Sequence, residues 1–336
     1  MKIVTKVLII IFTVGLVMTI ISVYNGLSYS AINEFLNDDD TFSERLYYTE
    51  ESVVHTIVLD IVDRSVFVAQ GTDEVVTFNY YSQEDDVWTV TEENGVLTIK
   101  QVKPRNILGW INYKVFTKTL KNMYITLPQS RDMNLDLSNH VGDISIYEND
   151  NYFEFIKVNQ STGNFGLRDV NVDELDLSLG TGNMLLKNVI VDGDTTISNH
   201  TGQIKFEGGN YQFMNVDNDT GTIVLTDLVA KELDLKTSTG NVSTNNITVQ
   251  NTMKATSQTG KVIINNTITS GYDLSTKTGD VVFAISSGNQ LKYDLSTSTG
   301  KITINNVTQG SPYSTQTGTI LLKVRVSTGN IRITTQ

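Results

Sequence analysis

Cysteine is absent from the chain, so disulfides cannot staple the fold and thiol chemistry is excluded. That absence is compatible with an exported protein that avoids oxidative crosslinks. Proline is nearly absent too, at three residues in 336, and histidine is limited to His55, His140 and His200. Helix-favouring Ala and Glu are scarce beyond the N-terminus. Basic residues are in deficit: 25 Lys and Arg stand against 37 Asp and Glu, a formal charge of -12. Such a field repels phosphate backbones, and no nucleic acid partner is expected. What is present instead is 24 Gly with abundant Thr, Asn, Ser and Asp, a composition suited to short strands joined by tight turns. The apolar share of 39% is normal for a globular core and argues against disorder.

A long apolar run occurs once. After Lys2 and Lys6 the stretch VLIIIFTVGLVMTIISV, Val7 to Val23, holds 17 uncharged residues. This exceeds a typical signal-peptide core and reaches the minimum for crossing a bilayer, roughly 17 to 25 residues. One N-terminal transmembrane helix within residues 1–30 is expected, followed by an acidic spacer over 31–50. A cleaved signal, with Ser28 and Ser30 forming a small-x-small site, is the alternative, and would leave the chain secreted. Either way the remainder is exported. Positive charge before the run, and Glu34, Asp38, Asp39, Asp40 and Glu44 after it, predict an N-terminus inside and an extracytoplasmic C-terminal domain.

From Asp136 onward one phrase recurs, as in DLSNHVGDISI, DLSLGTGNMLL, DLKTSTGNVST and DLSTSTGKITI. Its glycines fall at Gly142, Gly163, Gly182, Gly202, Gly221, Gly240, Gly260, Gly279, Gly300, Gly318 and Gly329. Except at Val141, each follows Thr, and the spacing is 18 to 21 residues until the last, which is 11. Apolar residues usually sit seven and five positions before the glycine and two and four after it, as at Leu233, Leu235 and Val242. Alternation with period two predicts short strands with one buried face, broken where glycine permits positive φ or close approach to a neighbouring coil. One unit cannot close a core, but stacked units can. The expected fold is therefore all-β, a single-stranded parallel β-helix or β-solenoid of about 20 residues per coil. Propeller blades need about 40 residues each and do not fit this period.

Residues 51–336 are assigned to the solenoid, with 51–130 as irregular N-terminal coils and 131–336 as regular Thr-Gly repeats; a separate small β-domain over the first part is the alternative. After Gly329 no polar cap follows, which leaves open whether another copy covers the C-terminal edge.

The order TIVLDIVDRSVFVAQG, VWTVTEENGVLTIKQ, MYITLP and then repeated Leu-Asp-Leu-Ser and Thr-Gly units resembles the bacterial putative-adhesin family with β-strand repeats, a domain of unknown function. The resemblance covers most of residues 53–336. It implies a β-helical exported domain, sometimes tied to cell-envelope stress responses, and no established catalytic site.

Candidate sites are few. His140 and His200 occupy equivalent places three coils apart, roughly 14 Å by strand spacing, too far for one metal ion with bonds near 2 Å. The acidic clusters Asn37 to Asp40, Gln83 to Asp86 and Asp217 to Gly221 lack calcium-loop spacing and read as solvated turns. No nucleophile-elbow pattern surrounds a serine and no acid-base cluster breaks the repeat, so no enzymatic activity, cofactor or metal is expected. One segment reverses the charge: Asn94 to Arg131 has seven basic residues and no acidic one. Within it Arg105, Trp110, Tyr113, Lys114, Phe116 and Lys118 have two readings. They contact an anionic membrane surface or wall polymer, as interfacial aromatics with Lys and Arg do, or they plug the open end of the solenoid. The expected role is a membrane-anchored surface structural or binding protein, adhesin-like or associated with envelope stress, whose partner is an envelope glycan, an anionic lipid or a surface protein; a passive spacer is the alternative, and a polysaccharide-processing enzyme, which would require a carboxylate cluster on one face, is a lesser one.

Overall fold

Apolar residues alternating ahead of each Thr-Gly pair dictate a strand with one buried face, and the glycine then turns the chain. The structure is a computed structural model that describes residues 43–48, 54–82, 86–102, 122–147, 152–286 and 290–335. In a representative coil the strand Asn171–Thr181 ends at Gly182 and the short strand Met184–Lys187 follows. Asn188, at φ 51°, then turns the chain into the next long strand, Ile190–Thr201. Asn tolerates this left-handed conformation better than most side chains.

Coils stack in parallel and in register. Leu177 pairs with Ile197 in the long-strand sheet, and Met184 with Ile204 in the short-strand sheet. Two sheets of 15 strands result. Ile190–Thr201 carries one extra residue near its start, so its register slips against Asn171–Thr181 between Val172 and Leu175 and against Asn210–Thr220 between Val191 and Asp194, a bulge that bends the strand locally. Leu175, Leu177 and Leu179 from the long strand, with Met184 and Leu186 from the short one, join a single buried cluster that extends from Val54 to Ile333. Burial of one such side chain contributes about 1.5–3 kcal/mol.

The chain divides into residues 1–43 and 44–336. The expected anchor over 1–30 lies outside the described residues. Among those described, no helix is long and apolar enough to cross a membrane. Ser43–Tyr48, inside the expected spacer, is a strand that neighbours Thr77–Ser82.

Both ends of the solenoid depart from chain order. Thr56–Ile61 lies between Met133–Val141 and Val96–Val102, and Ser65–Gln70 lies between Ile144–Tyr147 and Asn122–Leu127. The outer strands are antiparallel: Val87–Glu93 on Val96–Val102, and Thr77–Ser82 on Asn122–Leu127. At the other end Ile320–Thr328 inserts between Gly271–Thr278 and Leu291–Thr299. Ile331–Thr335 likewise inserts between Val281–Ile285 and Ile302–Ile304. The final residues are therefore not a sheet edge. Val307–Gln309 and Tyr313–Ser314, both antiparallel, flank the strands at that end. Short antiparallel pieces at an edge blunt its tendency to pair with another chain.

Candidate functional site

The turn glycines form one column. Gly142, Gly163, Gly182, Gly202, Gly221, Gly240, Gly260 and Gly279 succeed one another, and then Gly329 precedes Gly300 because the last coil is inserted. Their φ values run from 136° to 150°. A Cβ on Gly221 would strike the carbonyl oxygen of Gly202, and the same holds down the column. Gly318 stands apart: at φ 111° it abuts the backbone of Leu291 instead of another corner glycine. The irregular spacings of 18 and 11 residues around it reflect that change of order.

Behind these corners lies a buried polar column, three residues before each glycine. Asn218 Nδ2 donates to the Gly202 carbonyl at 2.9 Å, Ser257 Oγ to that of Gly240 at 2.9 Å, and Thr276 Oγ1 to that of Gly260 at 2.9 Å. A buried carbonyl left unpaired is costly, so the side chain that faces the core is chosen to donate. Leu179 and Val326 are the apolar members of the column. On the outside, one residue after the glycine, a second ladder forms as Asn183 N donates to Asn164 Oδ1 at 3.1 Å and Gln203 N to Asn183 Oδ1 at 2.9 Å. These groups are architectural.

The histidines make isolated surface contacts. His140 Nδ1 lies 3.1 Å from Ser161 Oγ, and His200 Nδ1 lies 2.5 Å from Asp219 Oδ2, both exposed. Within Asp217 to Gly221, Asn218 points inward while Asp219 meets His200. No group of three or more His, Cys, Asp or Glu among the described residues is arranged to hold a metal ion. The cluster Asn37 to Asp40 lies outside the described residues.

Arg105, Trp110, Tyr113, Lys114, Phe116 and Lys118 also lie outside the described residues. The strands that flank them are described: the chain leaves the long-strand sheet at Val102 and joins the short-strand sheet at Asn122. Lys100, from the same basic stretch, pairs with Asp60 at 2.7 Å. At this end of the core stand aromatics that sequence reasoning passed over. Phe78 and Tyr80 stack at 5.4 Å, and Tyr80 meets Trp88 at 4.4 Å. The fully buried Arg64 lies over Trp88 at 5.8 Å and pairs with Asp63 at 2.7 Å and with Asp86. Gln101 ties both carboxylates together through Nε2, at 3.1 and 3.2 Å. Alternation in TFNYYS and VWTV marks these strands, but nothing local in DRS announces a buried arginine.

Hollows interrupt the outer faces. On the long-strand face one of about 430 Å³ is lined by Ser161, Ser178, Gly180, Ser198, His200 and Asp219. On the short-strand face one of about 350 Å³ is lined by Phe67, Ser145, Tyr147, Gly166, Arg168 and Leu185. The first is mostly polar; the second combines aromatic, aliphatic and cationic groups. Neither set was singled out from sequence, because each gathers residues from coils that are separate in the chain.

The pattern that defines the Toastrack DUF4097 family matches residues 54–334. Among solved structures, a putative adhesin from Parabacteroides merdae is 15% identical, with 72% of this chain and 96% of that chain covered at a TM-score of 0.46. A putative cell adhesion protein from Clostridium sporogenes is 9% identical, covering 88% and 100% at a TM-score of 0.27. A putative adhesin from Bacteroides fragilis is 11% identical, covering 87% and 97% at 0.29. No curated protein matches the sequence.

Proposed function

The chain belongs to the Toastrack DUF4097 family, and on that premise we propose that it is an exported surface protein, anchored by Val7 to Val23, whose β-solenoid presents a binding face. The observation that carries this reading is a contrast within each coil. Inward positions repeat Leu, Ile and Val, whereas the outward ones differ from coil to coil, as in Ser145, Gly166, Leu185 and Lys205 along one row. A support alone needs only the uniform interior; a varied exterior suits recognition. We assign the protein no catalytic role.

Phe78, Tyr80 and Trp88 pack against one another at the N-terminal end of the core. We therefore assign Trp110, Tyr113, Lys114, Phe116, Lys118 and Arg105 to contact with the anionic envelope rather than to the plug. A passive spacer is the second reading, favoured by the interchangeability of in-register coils.

Because the chain has no cysteine, Gln258→Cys, at an exposed position, supplies a single thiol for testing export. Labelling by a membrane-impermeant maleimide in intact cells is the expected result. Labelling only after lysis would overturn the proposal. Removal of Gly221 to Thr239, one register-preserving coil, separates the two roles: a spacer changes reach and loses no ligand.

A further inference from the structure

We infer that the hollow around Gly166, on the outer face of the short-strand sheet, binds a sugar that carries a carboxylate or phosphate. This rests on the reading of the chain as a surface binding protein and adds to it a place and a ligand class.

Gly166 is a glycine that the backbone does not require. It sits inside the strand Phe165–Arg168 and pairs with Ser145 on one side and Leu185 on the other, without a slip. Its φ is not positive, unlike that of the corner glycines. A Cβ added there would meet only Ser145 Oγ, at 3.8 Å. Corresponding positions in later coils carry Leu185, Lys205, Val224, Ser243 and Ile263. Glycine inside a strand weakens it and commonly marks a bulge, a bend, or the close approach of another backbone or a ligand. Here the unbroken register excludes a bulge, and no described backbone atom lies over the Cα. The close approach of a ligand is the reading that the walls of the hollow favour.

The surroundings say which kind. Phe67, stacked on Tyr124 at 5.3 Å, forms one wall, and Leu185 forms the other. Phe67, Ser145, Gly166 and Leu185 stand on four adjacent strands, so the hollow extends roughly 14 Å at the usual strand spacing. Its volume of about 350 Å³ falls in the range of small-ligand pockets. An aromatic wall offers a flat face to the C–H side of a sugar ring, while Tyr147 and Ser145 offer hydroxyls.

Charge selects the anion. Arg168 is exposed, and Lys187 is its partner on the next strand, with Lys205 one strand further. Glu207 opposes them but is already hydrogen-bonded to Lys205, which holds its carboxyl below the usual range. The face is thus locally positive within a chain of net charge -12. The planar fork of arginine matches a carboxylate or a phosphate.

The test is calorimetric titration of the full-length chain in detergent with oligogalacturonate, phosphorylated maltodextrin and neutral maltodextrin, beside Gly166→Val and Arg168→Ala. Valine favours the strand and fits without backbone conflict, so Gly166→Val should keep or raise the thermal midpoint while it fills the hollow. Binding of either anionic probe, weakened about ten-fold or more by each variant as for a lost charge-assisted contact, supports the site; which probe binds tells a carboxylated from a phosphorylated source. Equal binding of maltodextrin, binding unaffected by Gly166→Val, or no binding of either anionic probe would overturn it. Should the anionic probes fail while the exported chain still retains envelope material, the site is lost and the surface-binding reading stands.

Discussion

Between Gly163 and Gly260 each long strand pairs with the coils just before and after it, about 19 or 20 residues away. At the ends the partners are remote: Thr56 pairs with Val96, and Leu274 with Val324. The middle is held by repetition, with the same apolar positions, glycine corners and, except at Leu179, inward donors in each coil. The ends are held by particular residues, chief among them Arg64 with Asp63, Asp86 and Gln101. A repeated sequence can elongate a core, but closing it takes contacts that no repeat encodes.

Breaking an end should cost most. Arg64→Met leaves Asp63 and Asp86 without their guanidinium, and the loss of one partner of a buried pair costs about 3–5 kcal/mol. Chemical denaturation should show that loss, and replacing Asp86 by Leu in the same chain should recover much of it. If Arg64→Met is neutral, the cluster does not hold the end. In the middle, Gly221→Ala puts a Cβ against the Gly202 carbonyl at φ 142°. Strain of this kind costs on the order of 1–3 kcal/mol, to be read as a lowered thermal midpoint. The sharpest internal control is Gly166→Ala, which should not destabilise at all.

A smaller effect belongs to the boundary coil. Tyr272 donates to the Thr267 carbonyl at 2.5 Å, and burial pushes its hydroxyl from the ordinary 10 up to about 12. With the folded value raised, its contribution is complete below about pH 10. It is lost as pH rises through about 12. Tyr272→Phe should flatten that part of the stability curve, measured by denaturation at several alkaline pH values; an unchanged slope would show that this hydroxyl does not titrate on unfolding.

The middle was legible because Leu233, Leu235 and Val242 announce their faces by spacing alone. Asn218, Ser257 and Thr276 hid their inward direction, since a polar residue in a strand reads as solvent-facing until its carbonyl partner is seen. Insertion of Ile320–Thr328 between two earlier strands was not legible either. Its pattern would fit beside any other coil, so local sequence leaves its place undetermined. Gly318 was aligned with the corners for the same reason. Gly166 escaped notice because glycine in a Gly-rich repeat reads as a turn, and only the unbroken register of its neighbours shows otherwise.

The inserted last coil also bears on how the molecule is made. Leu291–Thr299 has its parallel partner in Ile320–Thr328, which in turn joins it to Gly271–Thr278. A growing chain that has emerged only as far as Asn306 thus holds a coil with no permanent neighbour. Premature termination there would strand two coils rather than one, so a ribosome that stops short yields an unfinished end that quality-control proteases can recognise. Residues 320–335 act as a keystone, a piece set after its neighbours that locks them in place.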